Sequence, residues 1–69
     1  MKKFQLDEFP KFYSYARRII YAEERITGQG PSYDDIMIRE GYKSAMRGEP
    51  GKGWVMSDVD FTWFVLRWL

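Results

Sequence analysis

Cysteine and histidine are both absent from this chain of 69 residues. Their absence excludes disulfides, thiolate or imidazole metal sites, and Cys- or His-based catalysis. Long apolar runs are missing too, and none approaches the ~18 residues that a membrane-spanning helix needs. The opening MKKFQLDEF has two lysines with no apolar stretch behind them, so no secretory signal is expected and a cytoplasmic location is. Neither sign of charge is in excess: 11 cations meet 10 anions for a net charge of +1. That excludes a bulk polyelectrolyte argument, so any basic surface must come from local segregation.

What remains is aromatic. Five Phe, five Tyr and three Trp supply large buried areas per side chain. A domain this small buries only about 60% of its unfolded surface, and without disulfides or metals it must rely on a rich apolar core or on association. The chain shows no repeat and no linker, so residues 1–69 are expected to form a single helical domain. Two breaker clusters, GQGP from Gly28 and RGEPGKG from Arg47, divide it into three segments.

The first segment predicts a helix over about 7–27. Asp7 is the candidate N-cap, Pro10 falls in the first turn and Gly28 stands where a left-handed C-terminal residue is wanted. Phe9, Phe12, Tyr13, Ala16, Ile19 and Ile20 form one stripe at helical spacing, with Tyr15, Ala22 and Ile26 at its edge. The second predicts a helix over 32–46, with Ser32 and Asp35 as a capping box and Gly41 as an interior cost of about 1 kcal/mol. The third, over 58–69, is capped by Ser57, and Phe61, Phe64, Val65 and Trp68 recur at the spacing of a core stripe. The expected fold is therefore all-α, a compact three-helix mini-domain. The alternative is α+β with the C-terminal segment as a strand, since Val, Phe, Thr and Trp favour strands.

Two surfaces stand out. On the third helix, Val59, Trp63 and Leu66 form a second apolar patch opposite the core stripe. Either Trp54, Val55 and Met56 fold over it as a loop, or it contacts another chain, itself or a partner. On the first helix, Lys11, Arg17, Arg18, Tyr21 and Arg25 share one polar face with Ser14. Such a face suits an acidic protein surface or a phosphate backbone, with Tyr21 available to stack on a base, and it is otherwise simply solvated.

Other motifs carry less. GEPGKG lacks the first Gly and the Ser/Thr of a phosphate-binding loop. YDDIMIREGYKSAMRG admits a helix-turn-helix, but Gly48 and Pro50 arrive where its second helix should continue. Asp34, Asp35, Asp58 and Asp60 lie at expected helix N-termini, where capping explains them, and Glu23 and Glu24 point apart. No enzyme activity, cofactor or metal is expected. The stretch FPKFYSYARR resembles the opening helix of small bacterial SAM-like domains of the YozE type. The rest of the chain does not follow that pattern, and nothing is carried over from it.

The expected function is non-enzymatic: a small protein-binding regulator or inhibitor acting by steric association, a role that phage-encoded inhibitors also fill. Val59, Trp63 and Leu66 would anchor a protein partner or a second copy, and the basic face would steer an acidic one. The alternative is a nucleic-acid-binding protein using the basic face of the first helix.

Overall fold

The computed structural model describes residues 1–49 and 53–69. It contains three helices: α1 (Pro10–Thr27), α2 (Tyr33–Arg39) and α3 (Asp58–Trp68). It also contains three short strands, β1 (Lys2–Phe4), β2 (Met46–Arg47) and β3 (Trp54–Met56). The expectation of an all-α bundle is therefore corrected to α+β. The α+β alternative put the strand in the wrong place, because the C-terminal segment is helical.

The strands form one antiparallel sheet in the order β1-β3-β2. Lys2, Lys3 and Phe4 pair with Met56, Val55 and Trp54, and Met46 and Arg47 pair with Val55 and Trp54 from the other side. The segment Trp54–Met56 is thus the central strand and no loop over α3. Strands of two or three residues are too short to display the alternation that identifies a strand in sequence.

The second helix stops at Arg39, well short of residue 46, and Gly41 is the reason. It adopts φ +105, which ends a right-handed helix and which residues with a Cβ rarely adopt. Its N–H donates to the Ile38 carbonyl at 3.0 Å, while the Tyr42 N–H reaches back to the Met37 carbonyl at 3.0 Å. These are the two bonds of a Schellman C-terminus, and Met37 and Tyr42 are both buried in the core. Gly41 ends the helix where a helix-turn-helix would turn, but β2 follows in place of a second helix. Beyond it, the Gly48 N–H donates to the Gly53 carbonyl at 2.8 Å. The Pro50, Gly51 and Lys52 of the GEPGKG stretch lie outside the described residues.

The remaining termini follow local chemistry. A 3-10 turn, Leu6–Glu8, precedes α1, so Asp7 lies in that turn and Pro10 takes the first helical position. Gly28 closes α1 at φ 81, donating its N–H to the Glu24 carbonyl at 2.9 Å. At α2, the Asp35 N–H donates to Ser32 Oγ at 3.4 Å and the Ser32 N–H to Asp35 Oδ2 at 3.1 Å, completing the box.

The core is an aromatic cluster around Phe64, which is fully buried. Its ring centroid lies 4.8 Å from Phe9, 5.0 Å from Phe12, and 5.2 Å from both Phe4 and Tyr42. Three separate segments, β1, the start of α1 and the α2–β2 connection, therefore converge on one side chain of α3, and this convergence fixes which face of α3 points outward. Among the described residues no helix is long and apolar enough to cross a membrane.

Candidate interaction surfaces

α3 begins at Ser57, whose Oγ accepts the Asp60 N–H at 3.2 Å. The Asp60 side chain does not reach back to complete a capping box. Its Oδ2 instead accepts the Ser44 N–H at 3.0 Å and the Ser44 hydroxyl. Ser44 Oγ in turn accepts the Ser57 N–H at 2.9 Å. The start of α3 is thereby tied to the connection between α2 and β2. These donors hold the Asp60 carboxyl below the ordinary aspartate range, the Ser44 hydroxyl first and its N–H second.

With Phe64 buried and Phe61, Val65 and Trp68 half-buried against the core, helical geometry turns Val59, Trp63 and Leu66 outward. They are 68%, 64% and 72% exposed. No part of the described chain covers them. Trp63 and Leu66 form one wall of an open groove of about 360 Å³, whose other lining residues are Glu40, Gly41, Tyr42, Asp60 and Arg67. Val59 lies on the same helix face but outside the groove lining.

Glu40 anchors the far wall of this groove. It caps α2, accepts the Tyr15 hydroxyl of α1 at 3.0 Å and pairs with Arg67 of α3 at 2.9 Å. The carboxylate raises the Tyr15 phenol above its ordinary value, chiefly through that hydrogen bond. The Arg67 guanidinium also lies 4.8 Å from the Trp68 ring centroid. The α3 wall of the groove therefore carries Trp63 and Leu66, and the Arg67–Glu40 ion pair bridges it to the end of α2.

The second surface is the outward side of α1, where Lys11, Ser14, Arg17, Arg18, Tyr21 and Arg25 are all exposed. Arg17 Nε donates to the Tyr21 hydroxyl at 3.1 Å, and its guanidinium sits 5.2 Å from that ring's centroid. The hydrogen bond raises the Arg17 pKa further. Ser14, Arg17, Arg18 and Tyr21 line one shallow depression of about 290 Å³. Arg18, Tyr21, Ala22, Glu24 and Arg25 line a second of about 560 Å³. Lys11 stands apart from both, its Nζ 3.5 Å from the Leu69 carbonyl oxygen at the end of α3. Glu23 is drawn away from this face by Arg39, whose guanidinium binds it with two hydrogen bonds of 2.5 and 3.1 Å and lowers its pKa.

The structure thus brings Trp63 and Leu66 together with Glu40, Tyr42, Asp60 and Arg67 in one groove and sets Arg17, Arg18, Tyr21 and Arg25 around two depressions, leaving Val59 and Lys11 outside these linings. Glu40 and Arg67 are 27 positions apart in the chain, so local spacing carries no sign of their pairing. Among the described residues no group of His, Cys, Asp and Glu could hold a metal ion. Comparison with known protein families, curated proteins and solved structures finds no match.

Proposed function

We propose that this chain is a small, non-enzymatic protein-binding module whose contact surface is the outer face of α3. The observation that carries the reading is the exposure of Val59, Trp63 and Leu66 on two successive turns of one helix. A small domain with a limited core leaves a Trp and two aliphatics in water on one helix face, two of them lining a groove. Trp in a pocketed, partly apolar setting is the side chain most often found at the energetic centre of a protein interface. The partner that fits is a protein presenting an apolar side chain to the Trp63/Leu66 wall and a polar group to the Glu40–Arg67 pair. Binding by occlusion, as a regulator or inhibitor, requires nothing further of the chain. Its cysteine-free composition supports a cytoplasmic setting.

A second copy of the chain is a poorer fit. Stable interfaces bury about 1,200–2,000 Å² in total, and two turns of helix set against two turns fall well below that. The test is capture from an extract of the organism that encodes the chain, using the wild type, Trp63→Ser and Leu66→Ser in parallel. The expected result is a protein retained by the wild type and lost by both variants, with circular dichroism unchanged. Identical captured sets would overturn the reading. A concentration-dependent dimer in sedimentation, abolished by Trp63→Ser, would replace the partner with a second copy.

A further inference from the structure

We propose that the outward ridge of α1 is a sequence-independent binding surface for the phosphate backbone of a nucleic acid. Lys11, Arg18 and Arg25 recur every seven residues. At 1.5 Å per residue they stand in a single row, about 10 Å apart and about 21 Å from end to end. Arg17 lies beside the row with its guanidinium held by the Tyr21 hydroxyl at 3.1 Å, so a fourth cation is fixed in place. Arg18 and Arg25 take part in no ion pair among the described residues. Glu23 is occupied by Arg39, and Glu24 alone stands as a carboxylate among the residues lining the two depressions.

The composition of the ridge distinguishes a polyanion from a protein. Protein interfaces have a desolvated, largely apolar centre inside a polar rim. The α3 face has such a centre in Trp63 and Leu66. The α1 ridge has no exposed Trp or aliphatic anchor in its lining, whose apolar groups are Ala22, the ring of Tyr21 and the stems of the arginines. Phosphate-backbone binding needs no such centre; it needs cations in register along a line, because its free energy comes from counterion release. Arginine, which supplies three of the four cations, also matches phosphate oxygens with two parallel N–H donors.

The experiment is a fluorescence-anisotropy titration of a labelled 20-base-pair duplex and a labelled thymidine 20-mer with the full chain across a salt series. Four cations engaged on a duplex give a log–log slope of about −3.6, so affinity falls about 150-fold between 50 and 200 mM salt. On the single strand the same contacts give a slope of about −2.8 and a fall of about 50-fold, which separates the two forms of nucleic acid. Arg18→Gln with Arg25→Gln is expected to weaken binding and to reduce the duplex salt effect to about 12-fold. Trp63→Ser is expected to leave the slope unchanged, which keeps this surface distinguishable from the α3 face. The side chains are exposed, and circular dichroism verifies that the variants fold. Three outcomes would overturn the proposal: no binding of either oligonucleotide at 20 mM salt, a slope unchanged in the double variant, or polyglutamate competing as well as the oligonucleotide at equal charge.

Discussion

Replacing Asp60 by Ala should destabilise the fold more than any other substitution of a charged residue on α3. The carboxylate accepts two donors from Ser44, its N–H at 3.0 Å and its hydroxyl, and it sits in the first turn of α3. A hydrogen bond to a charged acceptor contributes about 1.5–3 kcal/mol, and a carboxylate at a helix N-terminus about 0.3–1 kcal/mol more. The site is half-buried, so water replaces part of what is lost, and a net cost of about 2 kcal/mol follows. For a domain of this length that is a fall of about 8–16 °C in Tm. Asp60→Asn retains an acceptor and should lose about half as much. The pH dependence follows from the same bonds. The folded carboxyl lies below its unfolded value. Its contribution is therefore complete above about pH 4, the unfolded pKa, and is lost as pH falls through the lower folded pKa. Thermal melts followed by circular dichroism at pH 7 and at steps below pH 4 test both parts. Asp60→Ala melting within about 2 °C of the wild type at pH 7, or losing stability in acid as steeply as the wild type, would refute the reasoning.

Phe64→Ala, at the centre of the aromatic cluster, should cost about 3–5 kcal/mol in chemical denaturation, whereas Trp63→Ser on the neighbouring exposed position should stay within about 0.5 kcal/mol. Gly53→Ala should be costly for two reasons: φ there is +77, and an added Cβ would meet the Phe4 carbonyl oxygen across the β1–β3 pair. Gly41→Ala has open space and bears only the left-handed strain, so it should melt above Gly53→Ala in the same assay. In an ultraviolet titration the Tyr15 phenol should ionise late, and Glu40→Gln should bring it earlier by removing the carboxylate that raises it.

Most of the helical framework is legible in the sequence because its signals are local. Ser32, Ser57, Pro10 and Gly28 each act within one turn of their own position, and the stripe of Phe61, Phe64, Val65 and Trp68 reads out a single helical face. The same periodicity separates Val59, Trp63 and Leu66 from the core, and the structure leaves them uncovered. Gly41 was also visible, but as an interior penalty in a long helix. Its meaning as a terminator depends on Tyr42 folding back onto Met37, which pattern alone does not encode. The sheet is illegible for a different reason. Lys2–Phe4 pairs with Trp54–Met56 across most of the chain, Met46–Arg47 pairs with it locally, and each strand is too short to show a period. The groove walls fail for the same cause, since Glu40 acquires its role only when α1 and α3 bring Tyr15 and Arg67 to it.

If the outer face of α3 meets a protein, oxidative footprinting of the three tryptophans will register it at Trp63. The chain is labelled in buffer and in an extract of the organism that encodes it, and modification at each Trp is read by mass spectrometry. Trp54 and Trp68, half-buried against the core, serve as internal references. Trp63 should be modified readily in buffer and protected in extract while the two references stay unchanged. Equal modification of Trp63 in both conditions would contradict it.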